Sequence, residues 1–221
     1  MAMANVKRKK KVAVWYWSGI NCEVESIESW KYLGADAKLV FAKHIVSGQE
    51  KVTDYHVHHF TGGFTFSDDA GAGAIAAIVS EEAFQMVVDA QLPIIMECNG
   101  FQIGMRARIF GSGLALVEND CGEFRSMPVL HRVEKTDCIW TRGLEGRILK
   151  FPSAHRYGKL VVTEERQPNV TLTYASESPN GGEIAGICTD NLVVMGLMDH
   201  PGRPYDNPDG LLIYANGLKT A

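Results

Sequence analysis

The sequence has no long hydrophobic run. No stretch approaches the roughly 20 apolar residues of a membrane-spanning helix, and no apolar segment of signal-peptide length follows the basic start. Cysteine is sparse, with five among 221 residues, and an odd number without a secretory signal argues against a disulfide framework. These absences predict a cytoplasmic protein that has free thiols and no membrane partner.

Positive charge is scarce beyond the first residues. Five of the 22 basic residues stand at positions 7–11, so the remaining chain is more acidic than the formal net charge of −4. An acidic body argues against a nucleic-acid partner, and no glycine-rich phosphate-binding loop is recognisable. We interpret residues 1–11 as a basic, flexible start and residues 12–221 as one domain, which is long enough to bury a core.

The first half of the sequence alternates between strand and helix patterns. Predicted strands lie at 12–17, 37–42, 55–60 and 92–97, and predicted helices lie at 23–33 and 67–90. This alternation predicts an α/β fold with an open, mostly parallel sheet and helices on both faces. In such sheets the working site lies at the carboxyl ends of the strands.

The alternation of predicted strands and helices ends after residue 110. Shorter predicted strands, joined by segments that contain Gly, Pro and Asn, lie at 125–133, 148–151, 160–162, 171–174, 184–188 and 192–198. They predict an added antiparallel part beside the parallel sheet. A last helix is predicted over 209–218.

Cys98 is the first candidate for chemistry. It follows the predicted strand at 92–97 and precedes a helix-like stretch that begins Asn99-Gly100. A sharp strand-to-helix turn presents its residue above the sheet, and the helix N-terminus stabilises a thiolate there. Because free cysteines are also often small buried hydrophobes, this stretch alone leaves both interpretations open.

His200 is the predicted partner of Cys98. It follows the predicted strand at 192–198, and a cysteine and a distant histidine that both follow strands are typical of a thiol nucleophile with its base. His155, in a predicted loop, is a second functional candidate. The histidines at 56, 58 and 59 have no cysteine or carboxylate at zinc-site spacing, so we predict no metal site.

Several motifs together resemble a known family. Residues 19–23 (GINCE) are similar to its GSNCD, 62–68 (GGFTFSD) to its GGFSYGD, 98–102 to its CNGFQ, 154–155 to the AH of AHGEG, and 200–201 to the HP of PHPER. CNGFQ, GGF and a late His-Pro in this order are a specific combination. The chain resembles the class I glutamine amidotransferases, most closely the glutaminase subunit or domain of phosphoribosylformylglycinamidine synthase from purine biosynthesis.

The resemblance implies a flavodoxin-like glutaminase that hydrolyses L-glutamine and delivers ammonia to a partner synthetase. Cys98 would be the nucleophile that forms a thioester, and His200 the proton-transfer residue. The N–H groups of Gly63 and Asn99 would hold the oxyanion, and substrate would be bound by Gly62, Phe64 and Gln102. The resemblance implies no cofactor in this chain, since ATP and Mg²⁺ would belong to the synthetase.

Two departures from the family pattern fall inside this site. The acid of the family's triad lies two residues after the histidine, where this sequence has Gly202; Asp199 and Asp206 are the candidate replacements. Met96 stands where the family's turn has glycine, which implies an altered turn, and Glu97 places a carboxylate beside the thiol in sequence. The alternative hypothesis is therefore a catalytically weakened relative that acts as a binding or regulatory subunit.

Overall fold

A computed structural model describes residues 8–65, 71–203 and 208–221. Most of the predicted basic start, the end of the motif at 62–68, and Asp206 lie outside the described residues. In the part that is described, the sheet begins at Lys11, one residue earlier than predicted.

The described chain contains eleven strands. They are β1 (Lys11–Tyr16), β2 (Asp36–Phe41), β3 (Val57–Phe60), β4 (Ile94–Glu97), β5 (Leu114–Val117), β6 (Arg125–Val133), β7 (Ile148–His155), β8 (Lys159–Val162), β9 (Asn169–Tyr174), β10 (Ile184–Cys188) and β11 (Val194–Leu197). The α-helices are α1 (Glu23–Tyr32), α2 (Ala42–Val46), α3 (Ala74–Val79), α4 (Glu81–Asp89), α5 (Asn99–Arg106) and α6 (Leu211–Thr220). One 3₁₀ turn spans Val52–Asp54. None of these helices is long and apolar enough to cross a bilayer.

Nine strands form one mixed sheet in the order β2-β1-β3-β4-β11-β10-β9-β6-β7. The first five of these are mutually parallel, and β10, β9, β6 and β7 extend the sheet through antiparallel pairing. β5 and β8 form a separate antiparallel pair. The predicted α/β fold with an added antiparallel part is confirmed.

The last strand in the chain determines where the site forms. β11 lies parallel to β4, with Leu197 opposite Glu97, so the residues that follow both strands emerge side by side at one edge of the sheet. This is the carboxyl edge, where open α/β sheets carry their sites.

Two apolar layers cover the sheet. One packs α3, α4 and α5 against the sheet around Trp15, Phe60 and Phe84; the other packs α1 and α6 around Trp30 and Tyr214. Burying this apolar surface on both faces is the main stabilising contribution, at roughly 25 cal/mol per Å². The layers hold the strand ends rigidly beneath the site.

The structure corrects several predicted boundaries. The single helix predicted at 67–90 is two helices, because the chain breaks at Ser80, whose hydroxyl accepts a hydrogen bond from Trp17 Nε1 at 2.8 Å. The strand predicted at 148–151 continues to His155, so His155 lies in β7 and not in a loop. The sequence analysis did not identify α2 or β5.

Candidate active site

Cys98 occupies a sharp turn between β4 and α5. Its backbone has φ 49° and ψ −113°, a conformation that L residues rarely adopt and that is held by surrounding structure. The Cys98 N–H donates to the Leu197 carbonyl at 2.9 Å, and its own carbonyl accepts from the Gln102 N–H at 3.0 Å. The side chain is buried, and Sγ lies 3.7 Å from the Ala154 carbonyl oxygen. The turn thus has the form of a nucleophile elbow.

Met96 does not prevent this turn from forming. Its fully buried side chain is directed at α5, where a Cβ on Gly104 would collide with Met96 Sδ. A second glycine of α5, Gly100, has no room for a side chain because the Phe60 carbonyl lies against it. Close packing of strand and helix is therefore provided by glycines on the helix, and the altered turn expected from Met96 is not seen.

Gly62 is the point where Cys98 and His200 meet. A Cβ on Gly62 would lie 2.7 Å from His200 Cε1 and 3.4 Å from Cys98 Cβ, with Cys22 Sγ at 3.2 Å. Only glycine leaves room for all three side chains. The structure therefore brings the predicted nucleophile and its predicted base into one small volume at the carboxyl edge.

The imidazole of His200 is buried and, within the described residues, neither ring nitrogen makes a hydrogen bond. Its position is fixed through the backbone, since the His200 N–H donates to the Pro152 carbonyl at 2.8 Å. Burial, with the nearby Arg203 charge next, lowers the pKa of His200 to about 4, although Glu97 and Asp199 oppose the shift. A histidine in this state is neutral at pH 7 and can accept a proton.

Gly63 and Asn99 directly follow Gly62 and Cys98, two of the residues that border this volume. A Cβ on Gly63 would lie 2.6 Å from Ile20 Cα, so glycine is required where the two turns cross. Asn99 begins α5, and its side-chain oxygen accepts from the Thr65 N–H at 2.9 Å. That bond ties the turn around Gly63 to the helix start. Their role as oxyanion donors stays a prediction.

The predicted substrate residues differ in their surroundings. The buried amide of Gln102 accepts from Asn99 Nδ2 and donates to the Tyr157 carbonyl, both at 2.9 Å, so it links α5 to the turn after β7. Phe64 is 46% exposed, and its ring centroid lies 6.3 Å from that of Phe124. No sequence signal pointed to Phe124. Gln102 therefore connects the elements that form the site, and Phe64 is a partly exposed residue next to it.

The turn after β7 is fixed by residues from a neighbouring loop. Asn119 donates its side-chain amide to the His155 carbonyl at 2.9 Å and its backbone N–H to the Arg156 carbonyl at 2.8 Å. Arg156 and Glu118 form an ion pair, with Nη2 to Oε1 at 2.6 Å. The sequence analysis singled out neither residue, and the structure shows that they are partners.

Asp199, one of the two candidate acids, is turned away from His200. His131 Nε2 lies 2.9 Å from Asp199 Oδ2, and His155 Nε2 lies 3.7 Å from Oδ1. Although burial alone would raise it, these two histidines hold the pKa of the Asp199 carboxyl well below its usual range. The Asp199 carboxylate is therefore hydrogen-bonded to His131 and not to His200, and its replacement of the missing acid stays a prediction.

The space beside Gly202 is already filled. A Cβ there would lie 2.7 Å from Tyr214 Oη and 3.4 Å from Ser29 Oγ. The Tyr214 hydroxyl donates to the carboxylate of Glu97, whose other oxygen lies 3.5 Å from His59 Nε2. Burial opposes it, but the charge and hydrogen bond of His59 lower the pKa of Glu97, which is therefore a buried anion.

A cluster that the sequence analysis missed lies on the other side of His200. Arg203 Nε donates to Glu25 Oε1 at 2.7 Å, Arg203 Nη2 lies 3.1 Å from Cys22 Sγ, and His200 Nδ1 lies 3.9 Å from Glu25 Oε1. Burial, with Glu25 next, raises the pKa of the Cys22 thiol to about 12. Glu25 follows the turn motif at 19–23 by two residues, which was the available signal.

The cluster has the residue types of a metal site. Ligand atoms of Cys22, Glu25 and His200 lie within 4.8 Å of one another, a spacing that a small divalent cation can bridge. The guanidinium of Arg203 already supplies the positive charge there, since it contacts both Cys22 and Glu25. The arrangement thus favours an internal ion-pair network over a bound metal.

Comparisons with known proteins agree with this geometry. Residues 9–209 match the family model of the CobB/CobQ-like glutamine amidotransferase domain. The phosphoribosylformylglycinamidine synthase subunit PurQ of Archaeoglobus fulgidus is 30% identical, covering 88% of both chains. The subunit of the same name from Pyrococcus horikoshii is 31% identical over 92% of this chain and 95% of its own. A chain of the PurLQS structure from Thermotoga maritima superposes with a TM-score of 0.86 at 28% identity, covering 96% of this chain and 99% of that one.

Proposed function

Because the chain belongs to the CobB/CobQ-like glutamine amidotransferase family, we propose that it is the glutamine-hydrolysing component of a phosphoribosylformylglycinamidine synthase in purine biosynthesis. The observation that carries this proposal is Cys98 at a strained strand–helix turn with His200 against the same glycine. The similarity to synthase subunits over nearly the whole chain supports the choice of synthase.

The reaction begins at the thiol of Cys98. His200 takes the thiol proton as Sγ attacks the amide carbon of L-glutamine, and the carbonyl oxygen becomes an oxyanion near the N–H groups of Gly63 and Asn99. Loss of one such donor typically costs about 3 kcal/mol of transition-state stabilisation. His200 then returns the proton to the amide nitrogen, which leaves as ammonia and gives a thioester.

Water completes the cycle. His200 removes a proton from a water molecule that attacks the thioester carbon, and Cys98 leaves with that proton as glutamate is released. Because the pKa of His200 is lowered, the ring is neutral at pH 7 and can accept the proton of the thiol and, later, that of water. Gly62 leaves room for the side chains of Cys98 and His200, and we assign substrate binding to Gly62, Phe64 and Gln102.

The ammonia goes to a synthetase subunit. We assign ATP and Mg²⁺ to that partner and no cofactor to this chain. We propose a cytoplasmic location, which suits a chain whose five cysteines, all among the described residues, form no disulfide. Neither a nucleic acid nor a membrane belongs to the proposed set of partners.

The experiment is a paired substrate assay on the complex with the synthetase. Cys98→Ala should abolish glutamine-driven glutamate formation and leave ammonia-driven synthesis intact. Cys121→Ala is the matched control, since Cys121 is an exposed free thiol. Unchanged glutamine hydrolysis in Cys98→Ala would overturn the proposed function.

A second candidate function rests on Gly202, which leaves the usual position of the triad acid without a side chain. A weakened relative would bind the synthetase and support synthesis from ammonia but not from glutamine. Labelling by an electrophilic diazoketone analogue of glutamine separates the two. Stoichiometric, glutamine-protected labelling of Cys98 supports the enzyme, and its absence in the assembled complex supports the binding subunit.

A further inference from the structure

His200 needs a group that orients its ring. In a thiol–histidine pair the ring nitrogen that faces away from the nucleophile must carry a proton, and a carboxylate normally holds that tautomer and stabilises the imidazolium. Within the described residues, both ring nitrogens of His200 lack hydrogen bonds, and residue 202 has no side chain to offer one.

Two buried carboxylates near His200 are committed elsewhere. Asp199 binds His131 and lies near His155. Glu97 accepts from Tyr214 and faces His59. Rotating either of them towards His200 would leave a buried partner unpaired, which costs several kcal/mol.

Glu25 has the right position and is already held. Its Oε1 lies 3.9 Å from His200 Nδ1, and the 2.7 Å bond from Arg203 Nε to the same oxygen fixes that oxygen beside His200. Arg203 is itself anchored by Cys22 Sγ at 3.1 Å. The Glu25 side chain is only 37% exposed, so the Arg203 contact keeps its carboxylate next to the ring of His200.

We propose that Glu25 is the positioning residue of His200, taking the place of the carboxylate that residue 202 lacks. The inference rests on the proposed glutaminase function. Glu25 keeps the proton on Nδ1, so that Nε2 is free to accept the proton of Cys98. Catalytic hydrogen bonds commonly tighten in the substrate complex, so a separation of 3.9 Å between Glu25 Oε1 and His200 Nδ1 is compatible with this role.

The charges around the ring of His200 determine how strongly Glu25 stabilises its protonated form. Arg203 and His155 act against a positive imidazolium, whereas Glu97 and Asp199 act in its favour. Since Arg203 is paired with Glu25, removing the Glu25 charge leaves the Arg203 charge uncompensated next to His200. The positive form of His200 would then be destabilised in two ways, because the negative charge of Glu25 is lost and the positive charge of Arg203 is no longer balanced.

The experiment uses the chain in complex with its synthetase and measures glutamate formation from glutamine. Glu25→Gln keeps the shape and removes the charge; we expect kcat to fall about 100-fold, with KM within about threefold of the wild type. Glu25→Asp, which retains the charge, should recover part of the lost kcat. Glu28→Gln is the matched control, because Glu28 lies one turn later on α1 and pairs with exposed Lys31.

Three further readouts separate positioning from folding. Ammonia-driven synthesis and the final stoichiometry of Cys98 labelling should be unchanged in Glu25→Gln, while the rate of labelling falls. A Glu25→Gln variant with wild-type kcat would overturn the inference, as would a Glu97→Gln variant that alone loses kcat without loss of stability. A wild-type complex that forms no glutamate would instead overturn the proposed function, and the role of Glu25 with it.

Discussion

Met96 Sδ occupies the space that a side chain on residue 104 would need, so the strand before the nucleophile and the helix after it fit together through this one pair. Met96 is fully buried, and the Phe110 ring closes the same space, at 3.4 Å from a Cβ on Gly104. The turn at Cys98 therefore depends on a large residue on β4 facing a glycine on α5.

Exchanging the large residue at position 96 and the glycine at position 104 tests whether the turn depends on this packing. Gly104→Leu should destabilise the fold by overpacking, by roughly 3 kcal/mol, and Met96→Gly should cost about as much through the cavity it leaves. The double variant should lose less than the sum of the two, because one side chain then fills the space of the other. Urea unfolding of the four proteins measures this coupling; strict additivity would show that the two residues do not share the space.

Restoring an acid at residue 202 should fail. A side chain there meets Tyr214 Oη and Ser29 Oγ, so Gly202→Glu is expected to lower the melting temperature and not to raise glutamine hydrolysis. Gly202→Ala, which adds only a Cβ, should lose less stability than Gly202→Glu. A Gly202→Glu variant with higher kcat and unchanged stability would show that the space beside residue 202 can hold an acidic side chain.

Removing the charge of Asp199 should affect stability more than catalysis. Asp199→Asn leaves His131 and His155 without their buried anion, so we expect a loss of about 3 kcal/mol in the free energy of unfolding. The kcat of the folded variant should fall less than that of Glu25→Gln. Denaturant unfolding and glutaminase assays on the same preparations compare the two effects, and a larger loss of kcat in Asp199→Asn would reverse the assignment.

Acid should destabilise the fold through two buried histidines. Burial lowers the pKa of both His58 and His200 to about 4, so below about pH 6.5 the unfolded chain binds protons on them that the folded chain does not. Stability therefore falls as the pH drops from about 6.5 towards 4, by roughly 3 kcal/mol per histidine at the acid end. Chemical unfolding between pH 7 and 4 measures this slope.

His58→Asn is the control for that measurement. Asparagine cannot take up a proton in this range, so the slope contributed by residue 58 should disappear. A slope that stays the same in His58→Asn and His200→Asn would assign the acid sensitivity to other groups.

Much of the fold was predictable because local patterns and tertiary contacts agree. The strands at 125–133 and 184–188 were predicted with the bounds observed, since turn residues flank both apolar runs. The break in the helix predicted at 67–90 was not predictable in the same way. It depends on a hydrogen bond between Ser80 and Trp17, which are far apart in sequence.

In the site, too, some residues could be predicted from the local sequence and others could not. Cys98 and His200 were identified from their positions after predicted strands, and the parallel pairing of β4 with β11 brings those strand ends together. Glu25 was missed because a half-exposed glutamate on an amphipathic helix looks like an ordinary solvated residue. The partnership of Glu118 with Arg156 was missed for the same reason, because both are partly exposed charged side chains that look like ordinary solvated residues.

The central position of β11 has a consequence for how the molecule is made. β4 acquires its second neighbour only when one of the last segments of the chain inserts between it and β10. Contacts so distant in sequence form late, because closing long loops is entropically costly. A nascent chain from which residues 194–200 have not yet emerged therefore carries Cys98 without His200 beside it.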